Sequence, residues 1–155
     1  MKKVLILLTA VVSLYACNSS DKAKEHDTKT HVTPLTEEEK NQVLADSANF
    51  TTIEWPDSTF RDFGKVKEGE VLEVSFRFKN TGDKNLIISD VRPGCGCTDG
   101  QKPEEPIAPG EEGVIKAKFN SKGQHIGENR KNITVTANTK PSQITELSFK
   151  AEVTN

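Results

Sequence analysis

From about residue 50 onward the chain alternates apolar and polar side chains. Leu72, Val74, Phe76 and Phe78 are interleaved with Glu73, Ser75, Arg77 and Lys79, a period of two that sends one set to a core and the other to solvent. Asn80-Thr81-Gly82-Asp83 then reads as a turn, and Leu86-Ile87-Ile88 with Val91 as the next strand. Pro109-Gly110 marks a turn before Val114, Ile115, Ala117 and Phe119. Ile133, Val135 and Ala137 repeat the alternation, as do Leu147, Phe149, Ala151 and Val153. Upstream, Phe50 to Trp55 and Thr59 to Val66 supply one or two more strands. The pattern predicts an all-β fold over residues 50–155, an immunoglobulin-like sandwich of about seven short strands. No amphipathic helical stretch lies between the strands, which excludes a βαβ arrangement.

Before residue 50 the pattern differs. Residues 18–49 are almost all polar or charged and bury too little apolar surface to offset the entropy of ordering, so they read as a flexible tether. Within them, Thr36-Glu37-Glu38-Glu39 has the form of a capping box and precedes Val43 and Leu44, predicting a short helix over 37–47. The charge run 37–40 reads as its solvated first turn. At the start, Lys2 and Lys3 precede an apolar run, Val4 to Val12, the layout of a secretory signal peptide over residues 1–16 and too short for a dependable span. Leu14-Tyr15-Ala16-Cys17 resembles the lipobox of bacterial lipoproteins, with a Tyr where a smaller residue is usual. That resemblance implies cleavage before Cys17, acylation of its thiol, and attachment to a membrane of the cell envelope. Each buried acyl methylene contributes about 0.8 kcal/mol, so two or three chains hold a protein without a spanning helix.

Charge narrows the partners. The 155-residue chain loses two of its 21 basic side chains with the leader, leaving 19 against 23 acidic ones on a mature chain of 139 residues. A net charge of −4 offers no basic surface for nucleic acid and no polybasic attraction to anionic lipid. An envelope protein is the expected partner, and no cofactor is implied.

With Cys17 acylated, Cys95 and Cys97 remain. Three readings compete. A Cys95–Cys97 disulfide is permitted in an exported compartment, but an extended i to i+2 separation of ~7 Å exceeds the usual Cα limit unless Gly96 bends the chain. Free thiols packed as small hydrophobes are the second reading. The third is a soft-metal or redox site, for which two thiolates form an incomplete shell. Greek-key order would place the loop after Val91 and the loop after Phe119 at one end of the sandwich, making His125 a further metal candidate beside Cys95 and Cys97. His26 and His31 lie in the tether. Catalytic signatures are missing: the chain has no Gly-rich loop opening a helix, no HExxH and no GxSxG. Asp46-Ser47-Ala48 resembles the short O-glycosylation motif of Bacteroidetes. Trp55, the one Trp of the chain, is the sole aromatic candidate for carbohydrate contact and is expected to pack on the sandwich end instead.

The landmarks Phe63-Gly64-Lys65-Val66, Gly69-Glu70, Phe76 to Gly82, Leu86-Ile87-Ile88, Cys95-Gly96-Cys97-Thr98, Ile107 to Gly110 and Ile133 to Asn138 follow one another in order. This series resembles the domain-of-unknown-function family numbered 1573, found in lipoproteins and secreted proteins of Bacteroidetes-like bacteria and related to Ig-like domains of the ASH, Hydin and major-sperm-protein group. The resemblance spans about residues 55–153 and implies a non-enzymatic β-sandwich. The residues have structural readings of their own: Gly64 and Gly82 permit turn conformations, and Asn80 and Thr81 bond nearby backbone. The leading expectation is a lipid-tethered structural or interaction module. A metal- or redox-linked protein using Cys95 and Cys97, and a carbohydrate-binding accessory domain, are the alternatives.

Overall fold

The computed structural model describes residues 34–155. Eight strands follow one helix: β1 Ile53–Glu54, β2 Phe60–Lys67, β3 Val71–Asn80, β4 Ile88–Pro93, β5 Thr98–Gln101, β6 Glu112–Asn120, β7 Gly127–Ala137 and β8 Ile144–Thr154. They form two four-stranded sheets, ordered β1-β3-β6-β5 (the front sheet) and β2-β8-β7-β4 (the back sheet). This is the two-sheet Ig-like sandwich that the alternation predicts.

The inward set closes the core. Phe76, Phe78, Ile115 and Phe119 from the front sheet and Ile133, Leu147, Phe149 and Val153 from the back sheet are fully buried. Phe119 and Phe149 meet edge to face across the sheets at 5.7 Å, and Phe63 completes the stack on Phe149 at 6.0 Å, a geometry that suits aromatic quadrupoles. In the front sheet β3 and β6 pair without interruption from Val71↔Asn120 to Lys79↔Glu112. In the back sheet β2 lies parallel to β8, with a register shift between Asp62 and Lys65.

The strand missing from the sequence reading is β5. Thr98-Asp99-Gly100-Gln101 carries no apolar alternation; it forms because its backbone pairs with Lys116–Phe119 of β6. Gly100 is required there, since a Cβ would come 2.9 Å from Val91 Cγ1 and 3.2 Å from Pro93 Cγ. Gly82 likewise serves a close approach rather than a special turn conformation: a Cβ would overlap Thr51 Oγ1 and lie 2.7 Å from Thr52 N. Gly64 does adopt the left-handed region, φ 66°, at the bulge of β2.

Helix α1 spans Glu37–Ala45 and a 3₁₀ turn follows at Ser47–Asn49. The capping box is formed: Glu39 N–H donates to Thr36 Oγ1 at 3.3 Å and Thr36 N–H to Glu39 Oε2 at 2.8 Å. Three glutamates in the first turn complement the positive end of the helix dipole. Two expectations are corrected here. Lys40 is not solvated: it is 3% exposed, its Nζ 2.8 Å from Glu37 and 3.8 Å from Glu104. The stretch 35–49 is also not free tether. Gln143 Nε2 donates to Leu44 O and Asn138 Nδ2 to Asn49 O, both at 2.7 Å, and Leu35 and Val43 flank Ile87 and Pro106. These contacts hold the segment on the sandwich. The signal peptide 1–16, Cys17, His26, His31 and the rest of the tether to residue 33 lie outside the described residues. Among the described residues no helix is long and apolar enough to cross a membrane.

Candidate functional site

Chain entry and cysteine loop occupy opposite ends of the sandwich. At the entry end, Asn80 and Asn138 are completely buried and each satisfies several loops at once. Asn80 Oδ1 accepts from Thr51 Oγ1 (2.8 Å) and Gly82 N–H (3.2 Å), while its Nδ2 donates to Lys84 O and Ile107 O. Asn138 Oδ1 accepts from Ile87 N–H at 2.7 Å, and its Nδ2 donates to Asn49 O and Asn85 O. The Asn-Thr-Gly and Ala-Asn landmarks are therefore loop clamps.

At the far end, residues 94–97 cross from β4 in the back sheet to β5 in the front sheet. Gly94 N–H donates to Asn132 O, Asn120 N–H to Cys97 O, and Thr98 N–H to Cys95 O. The last of these bonds closes a turn that brings the two Cα atoms to 5.3 Å, and Cys95 and Cys97 are joined in a disulfide. Turn closure supplies the bend that an extended i to i+2 pair lacks. Both sulfurs are half-buried beside Thr98 Oγ1, at 3.6 and 3.8 Å.

The three residues of the metal reading are not brought together as a ligand set. The end of β6 reaches the cysteine loop through the Asn120–Cys97 bond. His125, however, is exposed with its Nδ1 3.2 Å from Ile126 O, and the bridged sulfurs offer no thiolate. Among the described residues no group of three or more His, Cys, Asp or Glu side chains is placed to hold a metal ion. Trp55 packs on Phe78 with ring centroids 5.5 Å apart, and its enclosed Nε1 has no hydrogen-bond partner; the ring belongs to the fold rather than to a sugar platform. Asp46 is used locally, its Oδ1 capping Ala48 N–H at 2.9 Å, and Ser47 is exposed.

The feature that sequence reasoning missed is a strand edge. β1 pairs with β3 only at Ile53↔Asn80 and Glu54↔Lys79, because Trp55-Pro56-Asp57-Ser58 then turns the chain across to β2 in the other sheet. The Asn80 N–H and C=O and the Glu70 C=O bond on the β6 side, and Thr81 N–H donates to Thr52 O. By the period of two, the N–H and C=O of Val71, Glu73, Ser75 and Arg77 point away from β6. No strand among the described residues takes them up. On the outer face beside this edge, Glu73 and Ser75 line a shallow concavity together with Lys116 and Lys118 of β6. Arg77 donates through Nε and Nη2 to both Asp57 oxygens, at 2.6 and 2.7 Å. That hydrogen-bonded pair holds the Asp57 carboxyl below the usual carboxylate range and raises Arg77.

The class is thus an Ig-like β-sandwich that carries, among the described residues, the Cys95–Cys97 disulfide and an open edge along β3. Residues 53–153 match the family described as "Protein of unknown function (DUF1573)", and the chain belongs to that family. A protein of unknown function from Porphyromonas gingivalis W83 is similar in structure, 19% identical with a TM-score of 0.60 over 69% of this chain and 49% of that one; this chain therefore spans about half its length. The ASH/PapD-like domain 7 of human CEP192 is 12% identical with a TM-score of 0.52, over 69% of this chain and 88% of that domain. At such identities the likeness shows the fold. No curated protein matches the chain.

Proposed function

We propose that this protein is a membrane-anchored envelope lipoprotein whose sandwich is a non-catalytic module for binding another protein. The observation that carries the binding half is the open edge of β3: a row of unpaired backbone donors and acceptors is a template for a partner strand. Loop clamps and a bridged crossover keep the rest of the scaffold rigid, which limits the ordering cost when a strand is added. The anchoring half rests on Leu14-Tyr15-Ala16-Cys17 and the preceding apolar run. Trp55, packed on Phe78, and the bridged Cys95–Cys97 pair give the carbohydrate and metal alternatives less support.

The anchor is tested by Cys17→Ala in the full chain. The wild type is expected in the detergent phase and in carbonate-washed membranes, and the variant in the soluble fraction. A variant that still withstands the carbonate wash would show that another element holds the protein to the membrane.

A further inference from the structure

A disulfide that serves the fold joins segments far apart in sequence and removes much of the freedom of the unfolded chain. The Cys95–Cys97 bridge joins cysteines separated by 2 positions and removes very little of it. The support is mutual, so a bridge that adds little to the fold receives little protection from it. The crossover has other means of keeping its shape. Gly94 N–H bonds to Asn132 O, Thr98 N–H to Cys95 O and Asn120 N–H to Cys97 O. None of these backbone bonds involves a sulfur, and together they pin residues 94–98 to the neighbouring strands.

The bridge is also open on one side. Cys95 lies between Gly94 and Gly96, both exposed, and a Cβ on Gly96 would meet nothing within 4 Å. Cys97, by contrast, packs against the buried core. Thr98 is buried, with its Oγ1 3.6 Å from Cys95 Sγ and 3.8 Å from Cys97 Sγ. Bridged sulfurs carry no proton, so the hydroxyl is the donor. A thiolate formed at either sulfur would accept from it more strongly, as charged acceptors do.

We infer that this bridge is a thiol–disulfide exchange site, taking two electrons from a polypeptide that carries two nearby cysteine thiols. The inference goes beyond the binding reading and does not depend on the β3 edge. A thiolate of the partner attacks Cys95 Sγ, the sulfur set between glycines. The bond between partner and Cys95 forms, the Cys95–Cys97 bond breaks, and the electron pair leaves on Cys97, which Thr98 Oγ1 supports until a proton arrives. The partner's second thiolate then attacks the partner sulfur of the mixed disulfide, and Cys95 leaves with the electron pair and takes up a proton. The partner is oxidised from dithiol to disulfide and this protein is reduced from disulfide to dithiol, two protons passing between them. A small-molecule disulfide such as oxidised glutathione runs the exchange backwards and is itself reduced to two thiols. Because the loop stays pinned, the two sulfurs remain neighbours and the bridge re-forms without refolding.

The experiment uses the full chain with Cys17→Ala, in which Cys95 and Cys97 are the remaining cysteines. Dithiothreitol, a small dithiol, is the probe. Samples are quenched with acid, alkylated with a maleimide and read by intact mass. The folded chain is expected to be reduced at a rate within about tenfold of that of the same chain unfolded in guanidinium chloride, and to keep its near-ultraviolet circular dichroism once reduced. Slower reduction, or loss of the fold on reduction, would overturn the exchange site and leave the interaction reading standing. The point of attack is read with a chromophoric aromatic disulfide. The single thiol left at position 95 by Cys97→Ala should react at least fivefold faster than the one left at position 97 by Cys95→Ala; equal or reversed rates overturn the assignment to Cys95. Thr98→Val should slow reduction by dithiothreitol at least threefold and Thr98→Ser should restore it, in variants whose thermal melts match the parent chain. An unchanged rate in Thr98→Val overturns the part given to the hydroxyl.

Discussion

Phe76 and Ser75 are neighbours in sequence and belong to different environments: Phe76 has no exposed surface, while Ser75 stands over an open edge. Phe76→Ala is therefore expected to lower stability by ~3–5 kcal/mol and Ser75→Ala by no more than ~0.5 kcal/mol in a denaturant titration. Replacing Cys95 and Cys97 together with Ser is expected to cost at most ~2 kcal/mol, since so small a ring removes little chain entropy from the unfolded state. A loss as large as that of Phe76→Ala would mean that the bridge holds the crossover together. Period-two alternation made the inward set from Leu72 to Phe78 legible, because each residue's face follows from its parity alone. The role of Gly82 was not legible, since Thr51, which defines it, lies far off in sequence, and the burial of Lys40 was not legible either, since the pairing with Glu37 is local but nothing local placed its helix against the sandwich.

At the scale of elements, long regular strands announced themselves and short ones did not. β3, β6, β7 and β8 each bury alternate apolar residues, and their positions follow from the sequence. β5 exists because β6 offers it a ladder, and β1 stops after two residues because Pro56 cannot continue the pairing. The open edge of β3 follows from where β1 stops, so it became visible only with the topology in hand. The capping box did mark α1, yet nothing local said that the helix would be docked. Thr36→Ala should weaken the helix by ~1 kcal/mol. Hydrogen exchange is the readout: residues 37–45 should lose protection while β7 and β8 keep theirs. Equal loss throughout would make the helix part of the sandwich's cooperative unit.

Over the whole molecule, several surface carboxylates titrate low. Hydrogen bonds from Lys40 and Arg77 lower Glu37 and Asp57, the Gly64 N–H followed by Lys150 lowers Asp62, and Arg130 lowers Glu128. A carboxylate with a depressed folded pKa contributes stability above its unfolded value, near pH 4, and loses it as the pH falls through the folded value. Lys40 and Lys150 are raised by Glu37 and Asp62; their contribution is complete below about pH 10 and is lost as the pH rises beyond it. Denaturation midpoints should therefore form a plateau between about pH 5 and pH 10 and decline on both sides, more shallowly at high salt. A midpoint that rises between pH 4 and pH 2 would contradict the assigned pairs.

The parallel pairing of β2 with β8 has a consequence for how the domain is made. Phe60 is paired in register with Ser148, and β8 lies between β2 and β7, so the back sheet lacks an interior member until residues Ile144–Thr154 have emerged. Pairings between such distant segments make folding slow. An exported chain entering its compartment from the N-terminus would present β2 and β3 there, unfinished, while β8 was still being delivered. On the exported reading proposed above, completion of the sandwich would be coupled to completion of export, and during that interval the nascent chain would be most exposed to proteases and in greatest need of a holding chaperone.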